Sequence, residues 1–227
     1  MRSSRIFLLH GMGRSVASML ILAGRLQRVG HRPSLFGYSV SRDKLGDISA
    51  RFKEHVRVVL SADAAEAAGV DAGTDSGRAP LPYSVVGHSL GNVVVRMTLP
   101  EMSPGLRRLV MLAPPNRPPV SARYLERNAV FRRLTQEAGR RLLDPDFFAA
   151  LPPPGVPVLV VAGTAGPRLP WLPFGGEPND GVLLVSETHL AGARQLEVDG
   201  YHTFLMNRRD VFHAVAGFLA DQEADHR

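Results

Sequence analysis

The sequence predicts a mostly parallel, doubly wound α/β sheet with helices on both faces and a small helical insertion. Three observations carry that prediction. Short, continuously apolar runs alternate with segments of helical periodicity, the pattern of strands covered on both faces. One such run, Val85-Val86, leads straight into Gly87-His88-Ser89-Leu90-Gly91 and a further helical segment. The alternation breaks between about residues 117 and 155, a helical stretch bracketed by prolines, and then resumes.

Taken in order, Ile6 to Leu9 is a first buried strand ending at His10-Gly11-Met12-Gly13. Ser15 is placed to cap a helix with Met19, Leu22, Ala23 and Leu26 on one face, closed by Gly30. Pro33 forbids the return of that helix, and a second strand runs from Ser34 to Tyr38. A helix follows from Leu45 to Leu60, extending towards Ala68, with Phe52, Val56, Val59 and Leu60 on one face. Residues 69–80 lack large apolar groups and read as a mobile loop. Tyr83 to Val86 is a strand, Asn92 to Leu99 a helix stopped by Pro100, and Leu109 to Leu112 a strand. The insertion, about 117–155, carries Val130 or Phe131, Leu134, Ala138 and Leu142 at helical spacing. Phe131, Phe147, Phe148 and Leu151 read as its core or as the wall of a pocket. The apolar loop Leu169 to Phe174 fits either a cleft rim or packing against the insertion. Strands resume at Val156 to Val161 and at Gln195 to Val198. A last helix starts near Asn207, with Asp210 completing a capping-box-like pair and Val211, Val215, Phe218 and Leu219 buried.

The 227 residues suit one domain, 1–227, and 44% hydrophobic content is too high for a disordered chain. The absence of cysteine excludes disulfides, cysteine-ligated zinc, iron–sulfur clusters and a thiol nucleophile. Ile6 to Leu9 is too short for a signal h-region, and no run approaches the ~18 apolar residues of a membrane span, so a cytoplasmic location is expected. The net charge of +6 comes almost wholly from arginine, since Lys44 and Lys53 are the only lysines. The arginines are scattered over helices and loops; those at Arg132, Arg133, Arg140 and Arg141 read as a solvated helix face, and no nucleic-acid partner is expected. The charge remains compatible with peripheral contact with an anionic lipid surface.

Gly87-His88-Ser89-Leu90-Gly91 carries the most specific signal. A serine on a tight strand-to-helix turn is lifted above the sheet edge and faces the N-terminus of the next helix. Gly87 and Gly91 remove Cβ atoms that would collide with the turn. The loop after the first strand, with Gly11 and Gly13, permits close backbone approach to a substrate. The amides of Met12 and Leu90 are the expected oxyanion donors. Sheets carrying this elbow place an acid and then a histidine after the serine. Of the later histidines, His213 falls inside the last helix and His226 in the tail, and His189 precedes the last strand. His202 follows that strand, where a general base is needed. Asp180, in Asn179-Asp180-Gly181, is the expected acid; Asp144, Asp146, Glu187 and Asp199 compete. Asp199 is too near His202 in sequence, and Asp144 and Asp146 belong to the insertion.

These pieces, FLLHGMGRS, VVGHSLGNVVVR, RLVMLAPPN, NDGVLLVSETHL and GYHTFLMNRRDVFHAVAGFL, occur in order over nearly the whole chain. Together they resemble the small lipase-like esterases of the α/β-hydrolase superfamily, including the lipase-like domain of GPI inositol-deacylases. The resemblance implies an α/β-hydrolase fold. It also implies a Ser89, Asp180 and His202 triad, an oxyanion amide at Met12, and cleavage of small-molecule or lipid esters without metal or organic cofactor. Two departures stand out: Asn92 where many relatives carry a second glycine, and Arg117-Pro118-Pro119 where relatives carry Gly-Ser, which bears on the acyl pocket. Acyl transfer or thioester hydrolysis on the same residues, and a binding module of the same fold, remain open as alternatives.

Overall fold

The computed structural model describes residues 4–69, 81–102 and 104–221. Among these, six strands form one sheet: β1 (Arg5–Leu9), β2 (Arg32–Phe36), β3 (Tyr83–His88), β4 (Leu106–Leu112), β5 (Val158–Gly163) and β6 (Arg194–Val198). Their order is β2-β1-β3-β4-β5-β6, and every pairing is parallel. The helices are α1 (Leu20–Arg28), α2 (Leu45–Ala68), α3 (Leu90–Thr98), α4 (Val120–Leu125), α5 (Ala129–Arg141), α6 (Pro145–Ala150), α7 (Val185–Thr188) and α8 (Arg209–Ala220).

The continuous apolar strands are explained by a core on each face. Phe7, Leu9, Val85, Leu109, Met111 and Val160 pack with α2, α3 and the insertion. Their strand neighbours Ile6, Leu8, Val86, Val110, Leu112 and Val161 pack with α1 and α8. Strand side chains alternate between faces, so a strand covered on both must be apolar at every position. The chain moves from β1 to the edge strand β2, then crosses back to β3 on the other side of β1. The carboxyl ends of β1 and β3 are therefore a topological switch point, where doubly wound sheets open a crevice.

Several element boundaries differ from expectation. β2 begins at Arg32 and contains Pro33, which an edge strand tolerates. Ser15 makes no side-chain cap; a 3-10 turn (Val16–Met19) precedes α1. α2 reaches Ala68 and ends on Gly69 in the left-handed conformation (φ 65°), while the rest of the expected 69–80 loop lies outside the described residues. α3 starts at Leu90, and β5 at Val158. Asn207 ends a 3-10 turn (His202–Asn207), and Asp210 holds the Arg208 guanidinium at 2.6 Å instead of closing a capping box. The insertion is three short helices. α5 is interrupted at Gln136 (φ 46°, ψ −121°), so Val130 and Leu134 stay exposed while Ala138 and Leu142 are buried. Phe148 and Leu151 join the core, Phe174 is buried, and Trp171 is 77% exposed.

Buried polar groups fasten the insertion to the sheet. Arg96 of α3 donates to the carbonyls of Leu151 (2.7 Å) and Pro152 (3.3 Å) and to Asn116 Oδ1 (3.2 Å). Asn116 donates in turn to Thr188 O at 2.8 Å. Glu187 accepts from the Val120 and Leu184 amides at 2.7 and 2.9 Å. Arg96→Met leaves three acceptors unpaired, two of them buried, so it is expected to lower unfolding stability by about 2–3 kcal/mol in urea titration. A change below about 0.5 kcal/mol would show that these bonds are replaced by solvent.

Candidate active site

Ser89 occupies the turn between β3 and α3 with φ 52° and ψ −125°, a strained conformation for a residue with a side chain. The surroundings over-determine it. Its N–H donates to Leu112 O at 2.8 Å. Asn92 Nδ2 donates to Ser89 O at 3.1 Å and Leu112 O at 3.2 Å. Asn92 thus ties the turn to β4. A Cβ on Gly87 would overlap the Asn92 amide oxygen, and one on Gly91 would lie 2.7 Å from the His10 carbonyl oxygen. A Cβ on Gly11 would lie 2.9 Å from Ser89 Cβ, so the loop after β1 is pressed against the serine. At Gly13 nothing lies within reach of a Cβ, and its φ of 68° is what requires glycine.

His202 and Asp180 meet Ser89 although 113 and 22 residues separate His202 from them. A carboxylate only accepts, so His202 Nδ1–H donates to Asp180 Oδ2 at 2.7 Å. Nε2 then accepts from the Ser89 hydroxyl at 2.9 Å. The second Asp180 oxygen accepts from the Val182 and Leu183 amides at 2.9 and 2.7 Å. The His202 N–H donates to Asp180 O at 2.9 Å, locking the two loops together. Asn179 holds the acid loop by donating to Pro167 O and Glu177 O, both at 3.0 Å.

The competing groups lie elsewhere. Asp144 caps α6, and Asp146 and Asp199 are exposed. Glu187 is buried with its carboxyl pushed up by desolvation, but it serves the α4 and α7 amides. His189 and His213 are exposed. Leu90 is the first residue of α3, so its N–H has no acceptor within the helix. Met12 borders a cavity of about 350 Å³ that begins at the Gly11 loop and is walled on its far side by Phe131, Leu134 and Thr135 of α5.

Two further histidines shape the site and escaped the sequence reading. His10 donates from Nδ1 to Gly11 O at 2.9 Å, accepts from Tyr38 N at 3.3 Å on Nε2, and stacks on the Tyr38 ring at 4.4 Å. With the Arg14 amide, which also donates to Gly11 O, it fixes the Gly11–Met12 peptide. His88 donates from Nε2 to His202 O at 3.0 Å, while Nδ1 has no partner. Burial pushes its pKa well below the usual histidine value, and the neighbouring His202 and Arg14 add to the effect. The signals available were a histidine beside each key glycine or serine, in His10-Gly11 and His88-Ser89. Among the described residues, no group of three His, Asp or Glu side chains is placed to hold a metal ion, and no helix is long and apolar enough to cross a membrane.

Solved structures with the same architecture are similar over nearly the whole chain. The mature lipase BlEst2 of Bacillus licheniformis superposes with a TM-score of 0.67 at 14% identity, over 96% of this chain and 91% of that one. An extracellular α/β-hydrolase of a Paenibacillus species superposes with a TM-score of 0.56 at 14% identity, over 96% and 98%. The chain has the α/β-hydrolase fold. A carboxylesterase structure from Nitrososphaera gargenis superposes on this α/β-hydrolase fold with a TM-score of 0.58 at 15% identity, over 99% and 92%. No protein-family model and no curated protein matches the sequence.

Two predictions follow from this geometry. Gly87→Ala is expected to cost about 1–3 kcal/mol of stability, and the added Asn92→Gly change to recover part of it. Gly91→Ala meets backbone atoms, so no side-chain change should rescue it. Additive behaviour of the Gly87 and Asn92 changes in thermal unfolding would refute this. The second concerns pH. His10, His31, His55 and His88 all have folded pKa values below the free value of 6.5, mainly through burial. The unfolded chain therefore binds more protons in that window, and stability, full above about 6.5, is lost as pH falls below it. Urea midpoints at about pH 7 and pH 5 should differ, and His88→Gln should shrink the difference. An unaltered difference in the variant rules out His88 as a contributor.

Proposed function

We propose that the protein is a serine hydrolase of carboxylic esters, on small-molecule or lipid substrates. The observation that carries this reading is the continuous hydrogen-bonded line from Ser89 Oγ through His202 to Asp180 at the switch point of the sheet. Ser89 is the nucleophile. His202, its Nδ1–H held by Asp180, takes the hydroxyl proton on Nε2 as Oγ attacks the ester carbonyl. The Met12 and Leu90 amides receive the oxyanion, each such donor contributing about 3 kcal/mol. His202 protonates the leaving alcohol; water then attacks the acyl-enzyme by the same route in reverse. Asp180 stays ionised and stabilises the imidazolium. None of these steps calls on a metal or organic cofactor. The insertion α4–α6 acts as a cap, with Phe131 and Leu134 as its contribution to the cavity wall. That structural neighbours include a lipase and carboxylesterases supports ester substrates.

The test is hydrolysis of a chain-length series of 4-nitrophenyl esters together with fluorophosphonate labelling. Wild-type protein is expected to turn over esters and to be labelled at Ser89. Ser89→Ala should abolish labelling and lower kcat by about 10⁶-fold, and Asp180→Asn by about 10⁴-fold with the fold intact. Labelling without turnover of any ester would overturn the hydrolase reading. Faster deacylation by an added alcohol than by water would recast the activity as acyl transfer.

A further inference from the structure

The cavity bordered by the Gly11 loop, which packs against Ser89, carries a charge that hydrolysis of a neutral ester does not use. One side of it is the His10–Arg14 loop, and another is the Tyr38–Ser41 segment. Among its lining residues there is no carboxylate, and Arg14 is the only cation. Arg14 is half-buried, and its Nη2 donates to the carbonyl of Thr203, beside His202, in a long bond of 3.4 Å. A guanidinium has five N–H donors, so one weak bond to a neutral oxygen leaves most of its capacity unspent. Arg5, Arg32, Arg51, Arg57, Arg141 and Arg208 each reach an aspartate or glutamate; among the described residues Arg14 reaches none. Its charge is felt nearby: after burial, it helps lower the pKa of His10 and of His88. Elsewhere in the cavity lining, the Ser39 and Ser41 hydroxyls bond each other at 2.9 Å. In such a pair one proton is shared and the other remains free to donate. The remaining wall includes Met12, Val40, Phe131 and Leu134. A half-buried guanidinium with spare donors, facing a cavity that holds no carboxylate, is free to pair with an anionic group of a ligand.

We propose that this cavity receives a short anionic arm of the ester, ending in a carboxylate or phosphate that pairs with Arg14 and accepts from the Ser39–Ser41 hydroxyls. The inference rests on the hydrolase reading and adds a substrate class to it. The cavity volume of about 350 Å³ is near the lower end for ligand pockets and suits an arm of a few bonds. A planar guanidinium takes a carboxylate or phosphate oxygen pair through two parallel N–H bonds. Arg14 is thus a specificity-determining residue, and the reaction it takes no direct part in is unchanged.

The test uses matched esters with the whole protein. On the acyl side these are the 4-nitrophenyl monoester of glutarate and 4-nitrophenyl valerate; on the alcohol side, 4-acetoxybenzoate and phenyl acetate. The readout is the ratio of kcat/KM between anionic and neutral members, compared between variants so that intrinsic reactivity cancels. In at least one pair the ratio is expected to fall about ten- to hundredfold in Arg14→Met, chiefly through KM, and to recover in part in Arg14→Lys. Free glutarate and inorganic phosphate, tried as competitive inhibitors, distinguish a carboxylate site from a phosphate site. A merely structural role for Arg14 would lower both members of each pair together and leave the ratio unchanged, which overturns the inference. Turnover of neither member by the wild-type protein overturns the hydrolase reading and this inference with it.

Discussion

The site depends on one close approach, between the loop that leaves β1 and the turn that leaves β3. Gly11 lies against Ser89 and Gly91 against the His10 carbonyl, with no room for a Cβ at either place. That contact exists because β1 and β3 are sheet neighbours whose following helices depart to opposite faces. The crevice between them is a consequence of winding direction, before any side chain is chosen. What the side chains add is tolerance of strain. Ser89 is held at φ 52° by bonds to Leu112 and Asn92, both anchored in the buried centre of the molecule. The strain persists because the anchors are less able to move than the turn is to relax.

The second layer is electrostatic. His202 needs a carboxylate behind it, and Asp180 supplies one. Asp180 receives two amides on the oxygen that His202 does not use, so the carboxylate is oriented by backbone and not by chance rotamers. His88 sits behind His202 and donates to its carbonyl, and burial keeps it uncharged. A protonated imidazole there would oppose the imidazolium that the proposed reaction forms on His202. His10 does the parallel task for the Gly11–Met12 peptide, as a neutral ring whose two nitrogens have opposite roles.

The legible part of the fold was the part governed by local pattern. Both-face burial writes itself into strands as uninterrupted apolar runs, and the elbow demands glycine at Gly87 and Gly91 for reasons visible in the pentapeptide. Asp180 and His202 were reachable through chain order and loop position. The illegible part depended on partners distant in sequence. Nothing near Asn92 shows that its amide would bridge to Leu112, twenty residues away. Nothing near Ser15 or Asn207 shows that neither would cap a helix, because the alternatives are a 3-10 turn at each place. The apolar series Val130, Leu134 and Ala138 is regular in sequence, yet the break at Gln136 turns its first half outward and its second half into the core.

That break also decides which part of the cap is held least. The two roots of the insertion are bound by buried polar groups: Glu187 on the Val120 amide at one end, Arg96 on the Leu151 and Pro152 carbonyls at the other. Breaking either would strand buried donors or acceptors in a low dielectric, which is expensive. The middle is tied by exposed or half-exposed groups, Gln136 Nε2 to Ser41 O at 2.8 Å and the Leu45 amide to Glu137 at 3.1 Å. Water replaces such bonds at little cost, so the free energy of local opening is lowest there. The residues carried by this middle section, Phe131, Leu134 and Thr135, are the ones that wall the cavity. The cap is thus firmest where it shares a network with the acid loop and loosest where it meets the space beside Ser89.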